Sequence, residues 1–367
     1  MKRYLGVDLH RNCFTVCTLG EDGGSELKKW SIHSLSDFAQ QVQATDAVAV
    51  EATGNARHFC QALKERGCRL VVVNPHQFQV ISRSVKKTDA HDAKTLAEFL
   101  AKDMLPEVRL KEDLPAEIAS LLQTRDKLVK LRTTLKNKIN NLLSARGILL
   151  PKESLSTEKG LEQVLQAEVG ALPRVELMVL VEQIRHLNQG IAKLEAAIKK
   201  QGPKLPGYEN LKSIKGIGDI GGSTLLSAIG DINDFANEGK LAAYFGIVPR
   251  VSNSNETERS GRITKRGNKL GRTALVQCAL IAMRYSPYLA NYYARIKAAR
   301  GTGKAIIALA RKFLGIIYKT LKNGWLFEDF PRFVLAPAGA QGGGFAPTPL
   351  GFTALGVTGG AGEKRQG

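Results

Sequence analysis

The chain has 367 residues and sets 53 Lys and Arg against 34 Asp and Glu, a formal charge of +19. That length holds two or three domains with real cores, and the basic excess points to a polyanion: DNA, RNA or an anionic membrane. Membrane is the weaker option, because MKRYLGVDLH turns polar before a signal-peptide core could form and no run of about 20 apolar residues exists. The five cysteines (Cys13, Cys17, Cys60, Cys68 and Cys278) are scattered and lack a CxxC pair, so they read as reduced thiols of a cytosolic protein with no zinc site.

The first part of the chain alternates strand and helix signals. RYLGVDL is a short apolar run closing on Asp8, and NCFTVCTLG follows closely enough to form a hairpin with it. DAVAVEATG is a third apolar run, ending in Glu51 and then Gly54. ARHFCQALKERG has helical spacing and stops at Gly67, a C′ glycine. CRLVVVNPHQ is a buried-type strand ended by Pro75, and KKTDAHDAKTLAEFL then reads as a helix with Asp89 and Asp92 at its mouth. This alternation predicts an α/β layer fold over 1–112 with its later strands parallel.

Residues 113–203 change character. Ile118, Leu121, Leu128, Leu131, Leu135, Ile139 and Leu142 keep heptad spacing, as do Leu177, Leu180, Ile184, Leu187, Ile191, Leu194 and Ile198. Two long helices broken around Gly147 to Pro173 predict an antiparallel or intermolecular coiled coil. The first carries Arg125, Lys127, Lys130, Arg132, Lys136, Lys138 and Arg146 against Asp126, a one-sided set that reads as a phosphate-facing rail.

Residues 204–328 form a mainly α third unit. IKGIGDIGGSTLL resembles a helix-hairpin-helix, with Gly216 and Gly218 letting backbone approach phosphate and Lys212 and Lys215 flanking it. A tight turn used only for packing is the competing reading. PRVSNSNETERSGRITKRGNK reads as a loop holding Ser252, Ser254 and Ser260 among Arg250, Arg259, Arg262, Lys265, Arg266 and Lys269. A serine attacking phosphate needs such cations, although serine in a loop is usually a turn former. The Gly/Ala/Pro-rich tail over 329–367 lacks the apolar content to fold and reads as disordered.

Asp8 and Glu51 each close a strand, and in a mainly parallel sheet such ends gather at one edge. Asp89 and Asp92, three apart, share one face of a helix turn. Taken alone they are an N-cap and its capping-box partner. Four acids on one patch repel strongly unless a hard cation, Mg²⁺ or Mn²⁺, joins them, and two such ions can clamp the two oxygens of a phosphodiester exchange. GVDLHRN is also similar to the first phosphate loop of actin-like and sugar kinases, but His10, Arg11 and Asn12 stand where that loop needs glycines.

Together these motifs resemble the DEDD transposases of circle-forming insertion sequences, also called bridge-RNA-guided recombinases. GVDLHRN, VEATGN and KTDAHDAKTLAEF carry the resemblance, which continues through IKGIGDIGGSTLLSAIGDI and LAAYFGIVPR…RSGRITKRGNKLGRTAL to about residue 325. The resemblance implies an RNase H-like (RuvC-like) N-terminal domain whose Asp8, Glu51, Asp89 and Asp92 bind divalent metal. It also implies a serine that becomes joined to DNA, which falls at Ser254. Family members often have glycine after that serine; here Asn255 follows, and Ser252 lies close by. Donor DNA, target DNA and a structured non-coding guide RNA are the implied partners. A helix of about 30 residues spans about 45 Å, so acids and serine are expected to meet across the subunits of a homodimer or homotetramer. The rivals are a metal-dependent junction-resolving endonuclease using water, and a non-enzymatic scaffold whose acids only cap helices.

Overall fold

The structure is a computed structural model that describes residues 2–75, 77–78, 88–254 and 257–335, with the backbone alone over 251–254 and 257–260. The chain divides into two compact units, Met1–Lys111 and Glu112–Gly367. The expected disordered tail lies, from residue 336 on, outside the described residues.

The first unit is a five-stranded sheet in the order β3-β2-β1-β4-β5. β1 (Tyr4–Leu9), β2 (Cys13–Leu19) and β3 (Ser25–Ser31) form an antiparallel meander, and β4 (Ala47–Glu51) and β5 (Arg69–Val73) run parallel to β1. The inner strand β4, AVAVE, is buried on both faces until Glu51, which is why it reads as a continuous apolar run. One face carries Leu5, Val7, Leu9, Val48 and Val50 under α1 (Leu35–Gln41) and α2 (Ala56–Leu63). There Phe14 meets Phe38 and Phe59 edge-on at 5.2 and 5.4 Å. The other face carries Ala47, Ala49, Val71 and Val73 under α3 (Asp89–Ala101), through Leu96 and Leu100. α2 gives way to a short 3₁₀ turn that ends on Gly67 in the left-handed region, φ 69°, as the sequence predicts.

Two elements here escape the sequence reading. α1 is one. The other is β3, SELKKWS, an exposed edge strand whose Trp30 alone turns inward, over Phe14. The opposite edge is covered where Val108 N–H donates to Val72 O at 2.7 Å.

The second unit opens with α4 (Asp113–Ser144) and α6 (Ala171–Gln201), joined through the short α5 (Glu158–Leu165). They run antiparallel, since Arg125 meets Glu195, Arg132 meets Asn188 and Lys138 meets Glu176. Leu177, Ile184, Ile191 and Ile198 are all buried, seven residues apart. On α4, Ile118 and Ile139 are buried, but Leu131 is 54 % exposed. The far end is closed by the connector, whose Leu155, Leu161 and Val164 pack on Ile139, Leu143 and Val181.

The remaining α-helices among the described residues are α7 (Tyr208–Lys212), α8 (Asp219–Ile229), α9 (Glu238–Tyr244), α10 (Lys269–Ala282), α11 (Pro287–Arg300) and α12 (Thr302–Asn323). They share one core around Leu225, Phe245, Leu275 and Phe313, and the chain stays packed on it through Phe330 and Phe333. The expected serine loop is instead an antiparallel hairpin, β6 (Pro249–Ser254) with β7 (Thr257–Ile263). Its polar sequence gives no apolar alternation by which a strand could be recognised. Among the described residues, no helix is long and apolar enough to cross a membrane.

Candidate active site

Asp8 follows Val7, which pairs with Val50, so Asp8 and Glu51 end adjacent parallel strands at one level. Strand alternation sets both on the α3 face, the side of Gly6 and Ala49. α3 then brings Asp89 and Asp92 over that edge. Its cap is Thr88, whose Oγ1 accepts from His91 N–H at 3.2 Å, so the capping-box reading of Asp89 and Asp92 is replaced. The Asp89 carboxylate instead accepts from Lys29 Nζ of β3 at 3.3 Å.

The sequence reading missed the residue between the acids. His10 Nε2 lies 3.1 Å from Asp8 Oδ2 and 3.2 Å from Asp89 Oδ1. His10 stands in the β1–β2 turn, which is closed by its own N–H on Cys13 O and held by Asn55 Nδ2 donating to His10 O at 2.7 Å. Its position two residues after Asp8, in a hairpin turn, was the available signal. Asp8, His10 and Asp89 each present a ligand atom within 4.8 Å of the others. Glu51 stands at the neighbouring strand end, and Asp92 is nearly buried, at 7 % exposure.

Burial raises the Asp8 carboxyl above its ordinary range, His10 opposes that, and Asp89 and Asp92 add to it by repulsion. Asp89 is held low by its hydrogen bonds to His10 and then to Lys29. Carboxylates that repel one another, beside one imidazole, are a donor set that fits a divalent metal ion. His10→Ala is therefore expected to weaken Mn²⁺ binding about tenfold, read by the electron paramagnetic resonance of free Mn²⁺. Unchanged affinity would remove His10 from the metal site.

The other predicted residues fall in the second unit. Ser254 pairs with Thr257 at the last rung of the β6–β7 ladder, and Ser252 pairs with Arg259. Arg250, Arg262, Lys265 and Arg266 are exposed, whereas the Arg259 side chain lies outside what the structure describes. Lys212 is bound to Asp219, which also accepts from Tyr208 Oη at 2.8 Å. Lys215 is exposed. Gly216, at φ 110°, has Ala282 N only 2.5 Å from where a Cβ would sit, so its glycine serves close packing; Gly218 faces open space. Part of the basic rail has partners within the chain. Arg125 pairs with Glu195, Arg132 donates to Asn188, Lys130 pairs with Asp126, Lys136 donates to Ser156 Oγ at 3.0 Å and Lys138 pairs with Glu176.

Residues 5–146 match the transposase model DEDD_Tnp_IS110, and residues 208–294 match that of the transposase IS116/IS110/IS902 family. The chain belongs to that transposase family. Asp8, Glu51, Asp89 and Asp92 all fall within the first match, and Ser254 falls within the second. The chain is 27 % identical over 326 residues to the transposase for insertion sequence element IS1111A of Coxiella burnetii, covering 87 % of this transposase and 89 % of that one. A probable family 20 transposase of Pseudomonas aeruginosa is 28 % identical, with 87 % and 93 % covered. A pilin gene-inverting protein of Moraxella bovis is 26 % identical, with 89 % and 98 % covered.

Proposed function

We propose that this transposase cuts and rejoins the DNA strands of an insertion sequence through a covalent phosphoserine. The observation that carries the reading is the strand-end cluster of Asp8, His10 and Asp89 inside the stretch that matches a DEDD transposase. On this reading the first unit is an RNase H-like (RuvC-like) domain whose Asp8, Glu51, Asp89 and Asp92 hold Mg²⁺ or Mn²⁺. Bound there, the ion supplies Lewis-acid polarisation of a phosphate and neutralises its developing charge.

The chain's own chemistry starts at Ser254. Its Oγ attacks phosphorus, the Oγ–P bond forms, and the bond from phosphorus to the sugar oxygen breaks. The proton given up by Oγ ends on the displaced sugar hydroxyl. Rejoining runs in reverse with a hydroxyl from the exchanged strand, so the number of phosphoester bonds is conserved and no ATP is needed. Arg250, Arg259, Arg262, Lys265 and Arg266, on or just after the serine hairpin, supply charge-assisted contacts to phosphate. The helix-hairpin-helix reading of α7–α8 adds a contact to the DNA backbone through Lys215 and Gly218. A structured guide RNA and an assembly of two or four copies, with acids and serine shared between subunits, complete the proposal.

The water-using endonuclease is the second reading. A relative named for inverting a gene favours rejoining over hydrolysis, because inversion leaves no broken ends. The test incubates the full chain with Mg²⁺, RNA from the element's flank and labelled donor and target DNA, then stops the reaction in denaturant. DNA covalently attached to wild type but not to Ser254→Ala supports the serine route. Cleaved DNA without an adduct, unaffected by the mutation, would establish the nuclease instead.

A further inference from the structure

Between Glu258 and Glu328 the sequence holds no Asp or Glu but fifteen Lys and Arg. This stretch builds β7, α10, α11 and α12. Among the described residues, Arg284, Arg295, Arg300, Lys304, Arg311 and Lys312 have no carboxylate partner. A surface so free of counter-charge is stabilised by a polyanion and repels itself without one.

Aromatic rings are set among these cations. Tyr288, Tyr292 and Arg295 recur at helical spacing on one face of α11. Lys312 Nζ, from α12, lies 5.5 Å from the Tyr288 ring centre and 5.9 Å from that of Tyr292. The Arg295 guanidinium lies 5.7 Å from the Tyr292 ring. Pinning α11 to α12 accounts for Lys312 and for Tyr288, which packs on the core. It does not account for Tyr285, which is 51 % exposed at the turn before α11, next to the exposed Arg284.

We propose that the Tyr285–Lys312 surface of α11 and α12 is a docking track for a single-stranded polynucleotide. Phosphates lie on Arg284, Arg295 and Lys312, and bases stack on Tyr285 and on the Tyr292–Arg295 pair. Duplex offers phosphates but keeps its base faces stacked, so the exposed Tyr285 and the half-buried Tyr292, set among cations, fit a single strand. An acidic peptide would use the cations and leave the rings without a role. The inference rests on the DNA-processing reading and names a contact surface within it.

The test measures binding of the full chain to fluorescent oligodeoxythymidylate, to oligouridylate of the same length and to a DNA duplex. The variants are Tyr285→Ala, Tyr285→Ala/Tyr292→Ala and Lys312→Ala, each checked by circular dichroism and thermal melting. The double tyrosine variant should bind single strands about tenfold more weakly, with duplex affinity within about twofold of wild type. The exposed Tyr285→Ala, which cannot disturb the core, should show part of that loss at an unchanged Tm. The two single-stranded probes separate a DNA track from an RNA track. Equal loss on duplex and single strand, equal competition by polyglutamate, or no loss from either tyrosine variant would overturn the proposal. Asp8→Ala should keep single-strand binding while losing cleavage. Wild type that neither cleaves nor joins DNA, while the tyrosine effect holds, would defeat the functional reading and leave the track standing.

Discussion

Asp8→Asn is expected to reduce DNA strand cleavage by about 10³-fold or more while raising the melting temperature of the metal-free protein at neutral pH. The two effects have one cause. Asp8 is pushed above the ordinary carboxyl range, chiefly by burial and then by Asp89 and Asp92, with His10 opposing. A carboxyl whose folded pKa exceeds its unfolded value stabilises the fold when protonated and costs stability once pH rises above it. A neutral amide removes that cost and, on the proposed reading, also removes a charged metal ligand. A structural acid would behave in the opposite way, with stability falling and activity surviving. Cleavage assays beside thermal melts in chelator decide between them, and a lowered Tm with retained cleavage would make Asp8 a fold residue.

Gly6→Ala is expected to destabilise the first unit by about 1–3 kcal/mol and to lower cleavage by about 10²-fold. A Cβ at Gly6 would sit 2.1 Å from Ala93 O and 2.3 Å from Ala97 N. Both are backbone atoms of α3, so no side chain can swing aside and the helix itself must lift. Asp89 and Asp92 ride on the first turn of that helix and would move away from Asp8. Urea denaturation reads the first effect, and a raised Mn²⁺ requirement for cleavage reads the second. Gly303→Ala, whose Cβ would meet nothing within 4 Å, is the matched control. Wild-type cleavage in a destabilised Gly6→Ala would show that the acids do not need α3 at this distance.

Much of this fold could be read from the chain, and the limits are physical. β1, β4 and β5 are buried runs, and α4 and α6 repeat their apolar residues every seven positions, so periodicity announces them. β3 is nearly all exposed, and the β6–β7 hairpin is polar in sequence, so hydrophobic pattern is silent there. The four acids are visible because two close apolar runs and two open a helix. Lys29 is not, since it belongs to no pattern and reaches Asp89 only after the meander folds, and His10 offers only its place two residues after Asp8 in the hairpin turn. The basic rail shows what a count of charge leaves out. Counting charge along one helix ignores Glu176 and Glu195 on the neighbour, which become partners only when the two helices pair.

β3 has a second consequence, for life in a crowded solution. An edge strand offers unpaired backbone groups to any other strand, and soluble sheets discourage that with lysines. β3 places Lys28 and Lys29 side by side on its exposed length, and Lys28 also covers Trp30, with Nζ 4.1 Å from the ring centre. Lys29 therefore does two jobs: it neutralises Asp89, and it keeps a sixth strand from adding beside the acids. Losing that lysine would expose this transposase to edge-to-edge aggregation through the very sheet that carries its acids.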